Sequence, residues 1–217
     1  MDDNDAQIRS YYKARAAFYD RVYAQPERQR DLRYLEHYIP SQFVGRTVLE
    51  IAAGTGYWTQ FIAAEAASLV STDATPEVLE QAKKRPNTAR VSFRVADAYR
   101  LDDISEIFDG VFAGLWFSHV PRQKAGDFFA AFQRLVKPGA IVLFVDNSLV
   151  QCGSMPISHT DEYGNTYQQR QLDDGSVYRV LKNFPSKDEL FELTKDFAAS
   201  RSYLALENFW LFQYVVK

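Results

Sequence analysis

The sequence has a single cysteine, Cys152, so it can form neither an internal disulfide nor a cysteine-based zinc site. Its three histidines, His37, His119 and His159, lie far apart with no HxxxH or HExxH spacing, and no metal is expected. No apolar run approaches the ~18 residues of a membrane-spanning helix. The start, Met1-Asp2-Asp3-Asn4-Asp5, is acidic and lacks the apolar segment of a secretory signal. Basic clusters are missing too. Lys and Arg number 25 against 28 Asp and Glu, a net charge of −3, which excludes the electrostatic footprint of a nucleic-acid binder. By elimination the expectation is a cytoplasmic protein with no nucleic-acid partner and no membrane partner.

Aromatic residues are plentiful: 16 Phe, 13 Tyr and 3 Trp make up 15% of the chain, enough for an aromatic core or for aromatic-lined cavities. A chain of 217 residues can bury ~70% of its unfolded surface as one domain. Within residues 1–217 two parts stand out as additions: a helical cap over 1–40 and an insert over 148–182.

The periodicity predicts helices and strands in alternation. Tyr12, Ala16, Tyr19 and Tyr23 share one face of a helix from Asp5 to Tyr23. A second helix runs from Glu27 to Tyr38, with Leu32, Leu35 and Ile39 on one stripe and Pro40 closing it. Strands follow at Thr47 to Ile51, Leu69 to Thr72, Val91 to Val95, Phe108 to Leu115 and Ala140 to Val145. The helices between them are Tyr57 to Ala67, one opened by Thr75-Pro76-Glu77, and Arg122 to Leu135. Such alternation predicts an α/β, Rossmann-like, doubly wound and mostly parallel sheet with helices on both faces.

The remainder breaks the pattern. Asp173-Asp174-Gly175 marks a hairpin between Tyr167–Leu172 and Ser176–Lys182. Ser186 and Glu189 form a capping box for a helix reaching about Phe197. Tyr203–Leu206 and Trp210–Val216 are joined tightly, so they can pair only antiparallel.

Ligands of such sheets bind beyond the carboxyl ends of the strands. There the sequence places Gly54-Thr55-Gly56, which allows close backbone approach and opens a helix N-terminus. The third position of a dinucleotide fingerprint is Thr59 rather than glycine or alanine, and no GK[ST] follows. Glu50 beside the loop disfavours a pyrophosphate and suits an ammonium group. Asp73 is placed to accept from ribose hydroxyls, and Asp97 from an exocyclic amine. Together these describe a cationic nucleoside, S-adenosyl-L-methionine.

At this point the sequence resembles the class I S-adenosylmethionine-dependent methyltransferases. Val48 to Gly56 is similar to their first motif, Asp73 to Leu79 to their ribose-binding segment and Ala96-Asp97-Ala98 to their adenine-binding one. Phe108 to Phe112 and Leu135 to Ala140 are similar to their fourth strand and the turn before the fifth. The resemblance implies a seven-stranded sheet whose last strand inserts between the fifth and sixth. It also implies cofactor contacts from Tyr12, Tyr19, Glu50, Ala52, Gly54, Gly56, Asp73, Ala74, Asp97, Ala98 and Leu115. The two tyrosines either cover the cofactor's methionine end or pack on the sheet. Where the family carries a small polar residue after its fourth strand, this chain has Leu115-Trp116-Phe117. It lacks the Asp/Asn-Pro-Pro-aromatic motif of base-amine methyltransferases; for a catechol-type Mg²⁺, Asp146-Asn147 after the fifth strand could supply one acid, but Leu115 to His119 offers no second.

The expected activity is methyl transfer to a small-molecule acceptor, at oxygen or nitrogen rather than carbon, with an aromatic or apolar acceptor favoured. His119, after the fourth strand, is either a general base or a structural residue. The insert over 148–182 suits a substrate lid, in which Tyr163, Tyr167, Tyr178, Arg170 and Arg179 line the acceptor or face solvent. Two other readings stay open: an NAD(P)-dependent oxidoreductase, opposed by Glu50 and Thr59, and a non-catalytic S-adenosylmethionine-binding protein.

Overall fold

The computed structural model describes residues 20–217. Tyr12, Tyr19 and nearly all of the expected first helix lie outside the described residues; residues 20–22 form a 3-10 turn. A 3-10 turn at Pro26–Arg28 leads into α1 (Gln29–Ser41), whose Leu32, Leu35 and Ile39 are buried as the stripe predicts. Pro40 lies inside this helix rather than ending it. In the last turn a proline removes only its own N–H, and its carbonyl still accepts from Phe43 N at 2.9 Å.

The main sheet has seven strands: β1 (Thr47–Ile51), β2 (Ser68–Asp73), β3 (Ser92–Val95), β4 (Phe108–Gly114), β5 (Val136–Asn147), β9 (Ala198–Ala205) and β10 (Phe209–Val216). Their order is β3-β2-β1-β4-β5-β10-β9. The first five strands pair parallel, while β10 runs antiparallel between β5 and β9. The expected insertion of the last strand is thus observed. Strand order reverses between the adjacent central strands β1 and β4, and a doubly wound sheet places its ligand crevice at that reversal.

Lys137-Pro138-Gly139, read as a turn before the fifth strand, falls within β5. The register there jumps from Phe108↔Val136 to Gly110↔Ile141, and Gly139 takes φ +82°, so the turn residues form an irregularity inside a longer strand.

Four helices complete the layers around α1: α2 (Thr59–Glu65), α3 (Pro76–Ala82), α4 (Ala125–Gln133) and α5 (Lys187–Leu193). Two buried clusters form, one per sheet face. One joins Phe117, Phe128, Phe129 and Phe132 to Phe144, Trp210, Phe212 and Tyr214. The other joins Leu32, Leu35 and Ile39 to Trp58, Ile62, Phe112, Leu143 and Val145. Leu143 and Phe144 are consecutive in β5 and point to opposite faces, as strand alternation requires. Much of the aromatic content is therefore core.

The insert forms its own three-stranded antiparallel sheet: β6 (Ile157–Thr160), β7 (Thr166–Gln171) and β8 (Val177–Leu181). The Asp173-Asp174-Gly175 turn closes the β7–β8 hairpin, with Gly175 at φ +85°. The capping box of α5 is complete: Glu189 N donates to Ser186 Oγ, and Ser186 N donates to Glu189 Oε2.

Candidate active site

The loop after β1 turns sharply. Ala52, Gly54 and Gly56 all adopt left-handed conformations, at φ +55°, +56° and +77°. Glycine is required at Gly56, where a Cβ would come within 2.8 Å of the Ala82 Cα in α3. Asp73, at the end of β2, holds this turn open: its Oδ2 accepts from Gly54 N at 2.9 Å and its Oδ1 from Thr75 N at 2.8 Å. Asp97 follows β3 and accepts from Tyr99 N through Oδ1 at 2.9 Å. Ala74 and Ala98 adjoin these two acids in the chain. Leu115, directly after β4, is left-handed at φ +57°, and its N–H donates to Val145 O. Glu50, Ala52, Gly54, Gly56, Asp73, Ala74, Asp97, Ala98 and Leu115 thus all lie along, or just beyond, the carboxyl ends of adjacent strands.

Glu50 lies beneath the loop, 1% exposed. Its Oε2 accepts from Thr59 Oγ1 at 2.6 Å and from Ser71 Oγ at 2.7 Å, tying β1 to α2 and β2. Burial raises its pKa to about 7; the two hydroxyls oppose this and the nearby Asp73 charge adds to it. Between pH 4.5 and 7 the folded protein therefore holds a proton that the unfolded chain has released, and stability falls as pH rises through that window. Glu50→Gln is expected to remove this slope. Urea unfolding should show the variant near wild type at pH 5 and up to about 3 kcal/mol more stable at pH 8. Parallel pH profiles for the two proteins would refute the assignment.

The loop is also braced from outside. Thr55 Oγ1 donates to Asp20 at 2.7 Å, Arg85 pairs with the same carboxylate, and Arg85 Nε donates to Thr55 O at 3.0 Å. The next residue, Arg21, reaches Asp173 at the hairpin tip at 2.8 Å. Residues 20–21 therefore bridge the glycine loop and the insert.

The other side of the site is built by the insert. Lys182, just past β8, is 1% exposed and donates to Asp146 Oδ1 at 2.8 Å and to Ser118 Oγ at 2.7 Å. Asp146 also accepts from Ser118 N at 2.9 Å and Asn147 N at 2.8 Å. Burial pushes the Lys182 pKa down to about 8, with Arg170 and Arg28 adding to the shift and Asp146 opposing it. His119 is buried in a 3-10 turn at Phe117–His119. Its Nδ1 lies 2.6 Å from Leu181 O, so Nδ1 carries the proton and donates, and the lone pair belongs to Nε2. Burial, with Lys182 and Arg170 behind it, holds this imidazole well below its ordinary pKa.

Of the insert residues expected to line the acceptor, Arg170 is buried beside Gln168, whose Oε1 accepts from its Nη2 at 2.9 Å. Arg179 instead stacks over Tyr167 at 5.1 Å, and Tyr163 is exposed. Lys182, Arg28 and Ser118 carry no local sequence signal, and Asp146 was legible only as an acid at a strand end. His37 caps Arg33 O on an exposed helix face, and among the described residues no group of acids, histidines and cysteine could hold a metal. No described helix is long and apolar enough to cross a membrane. A separate groove of about 420 Å³, lined by Phe117, Val120, Ala125, Pro185 and Leu193, contains none of the strand-end residues named above.

No curated protein sequence matches the chain. Residues 48–139 match the family described as a methyltransferase domain. The whole chain superposes on the DhpI-SAM-HEP complex over 99% of each chain, with 28% identity and a TM-score of 0.79. The DhpI-SAH complex aligns over 95% of this chain and 94% of its own, at 28% identity and a TM-score of 0.77. The N-methyltransferase NodS from Bradyrhizobium japonicum WM9, solved with S-adenosyl-L-homocysteine, shares the fold at 16% identity, a TM-score of 0.66, and 95% and 97% coverage. The methyltransferase-domain match over residues 48–139, a sheet with the topology of the class I methyltransferases and the alignment with structures solved with S-adenosylmethionine and S-adenosylhomocysteine together support one reading: an S-adenosylmethionine-dependent methyltransferase.

Proposed function

We propose that this enzyme transfers the methyl group to an oxygen or nitrogen of a small molecule seated between the strand ends and the insert. The observation that carries the reading is the placement of two built surfaces on one rim. The glycine loop with Asp73 and Asp97 lies on the β1–β3 side, and the Lys182–Asp146–Ser118 cluster lies on the β4–β5 side. In this reading Asp73 accepts from the ribose, Asp97 from the adenine amine, and the left-handed backbone at Ala52, Gly54, Gly56 and Leu115 lets the cofactor approach closely. Ala74 and Ala98 present small side chains beside the two acids, and Glu50 supports the loop from below. Residues 148–182 act as the wall of the acceptor side, and the chain works as one domain. The support of a SAM- and HEP-bound neighbour at 28% identity is for a second small molecule beside the cofactor.

The reaction is an in-line displacement at the sulfonium methyl. The cofactor brings its own leaving group, so the protein's contribution is alignment and exclusion of water. His119, with Nδ1 committed to Leu181 O, fixes the β4–β5 rim against β8 as a positioning residue.

The cofactor half is tested by Asp73→Ala, read by calorimetry with S-adenosylhomocysteine. Affinity should fall by about 1.5–3 kcal/mol, the scale of charge-assisted hydrogen bonds. Unchanged affinity would move the ribose elsewhere.

A further inference from the structure

We propose that the methyl acceptor is a small oxygen acid, held through one anionic oxygen by Arg170, Lys182 and Arg28 and methylated on another oxygen. This rests on the reading that the insert walls the acceptor side.

The geometry starts from strand alternation. Gln168 pairs with Val180 and Arg170 with Tyr178, while Lys182 N donates to Thr166 O, so Gln168, Arg170 and Lys182 share one face of the small sheet. The opposite face carries Tyr167 and Arg179. A solvated hairpin turns charge outward, but here the polar face is the hidden one: Gln168 is fully buried, and Arg170 is only 7% exposed. A third cation comes from the other end of the chain. Arg28, also buried, donates to Asn147 Oδ1 at 3.1 Å, and Asn147 in turn donates to Asp146. Asp146, Arg170 and Arg28 all act electrostatically on Lys182, the carboxylate favouring its ammonium and the two guanidinium groups opposing it.

Stability alone does not call for this arrangement. A buried lysine is served by one carboxylate, and two further buried cations, Arg170 on the same sheet face and Arg28 linked through Asn147 and Asp146, raise the cost of hiding its charge. An oxyanion bound among them offsets that cost. A guanidinium can direct N–H donors at a single acid oxygen and leave the next one free, and Lys182 supplies a point charge. A charged acceptor of this kind departs from the aromatic or apolar acceptor favoured by the sequence.

The chemistry balances without a base. A lone pair on the acceptor oxygen attacks the methyl carbon, the C–S bond breaks, and its electron pair stays on sulfur. The anionic charge of the oxygen and the positive charge of the sulfonium cancel, giving a methyl ester and S-adenosylhomocysteine. No proton moves. A neutral His119 tied to Leu181 O is then all that the step requires of that residue. The cations quench the oxygen they hold, so the attacking oxygen is the other one.

The test pairs acids with neutral counterparts: benzoate with benzamide, and phenyl phosphate with benzyl alcohol. Methyl transfer from labelled S-adenosylmethionine is followed, together with calorimetry of the same four probes on the S-adenosylhomocysteine complex. At least one acid should bind or be methylated while its neutral counterpart does neither; the benzoate and phenyl phosphate arms separate carboxylate from phosphoryl recognition. Arg170→Gln should raise KM or Kd for that acid by ~10–100-fold and leave S-adenosylhomocysteine affinity within about twofold. Arg170→Lys should recover part of the loss, which a merely structural arginine would not show. Lys182→Met risks unfolding, so Arg170 carries the test. Neutral probes preferred over both acids, or neither acid binding the intact complex, would overturn the oxyanion proposal and leave methyl transfer standing. Failure of S-adenosylhomocysteine itself to bind would instead overturn the cofactor reading.

Discussion

Asp146→Asn should destabilise the protein by about 3–5 kcal/mol, the penalty for leaving one member of a buried ion pair without its partner. Asp146 is fully buried at the end of β5 and accepts from Lys182, Ser118 N and Asn147 N at 2.8–2.9 Å. Burial pushes its carboxyl pKa up, but the Lys182 ammonium and the Ser118 N–H outweigh this and hold it below the ordinary value. An asparagine keeps the shape and loses the charge. For a chain of this size the melting temperature should fall by roughly 6–20 °C. The pH dependence gives a second readout. A lysine whose folded pKa is depressed binds fewer protons folded than unfolded, so stability rises with pH from the folded pKa to the unfolded one. In the wild type that window runs from about 8 to 10.5. Without Asp146 the Lys182 pKa drops further, and the rise should begin below pH 8. The double variant Asp146→Asn, Lys182→Met should be more stable than Asp146→Asn alone. A single variant within about 1 kcal/mol of wild type, or a double variant no better than the single, would show the pair to be dispensable.

That pair also shows how far sequence reading reaches. Patterns that live within a few residues were legible: the alternating strands, the Ser186–Glu189 capping box, the Asp173-Asp174-Gly175 turn and the glycine loop. Each depends on a local backbone preference that the residue types announce. Lys182 meets Asp146 across 36 residues and Ser118 across 64, and no local rule links them. Arg28 meets Asn147 across 119 residues. β6 went unread because all four of its side chains are exposed, so it carries no alternation of polarity. Leu115 was placed at the right strand end, but its left-handed backbone has no sequence signal; leucine gains nothing there and is held by the Leu115 N–H to Val145 O bond. His119 was read from its position as a candidate base. The carbonyl of Leu181 that fixes its tautomer lies 62 residues on, within a hairpin whose docking the sequence does not declare.

Gly56→Ala should be a damaging single-methyl change in the loop. The backbone there sits at φ +77°, and an added Cβ would lie 2.7 Å from the Ala82 Cβ and 2.8 Å from its Cα. The left-handed conformation costs an alanine roughly 1–2 kcal/mol. The overlap adds about 1–3 kcal/mol, because the obstacle is helix backbone and cannot swing aside like a flexible side chain. Together a loss of about 2–5 kcal/mol is expected, relieved only by parting the loop from α3. That movement would displace the turn that Asp73 holds through Gly54 N, so S-adenosylhomocysteine affinity should drop along with stability. Gly54→Ala is the control. Ala52, two residues earlier, already occupies φ +55°, so this loop accommodates an alanine in the left-handed region, and the backbone strain of an alanine at Gly54, φ +56°, should cost about 1–2 kcal/mol. Ala82→Gly in the Gly56→Ala background removes the clash with the Ala82 methyl but leaves the clash with the helix backbone, and should restore only part of the loss. Full restoration would place the whole conflict in the Ala82 side chain. Equal effects of Gly54→Ala and Gly56→Ala would show that backbone strain, not the approach of α3, is what reserves this position for glycine.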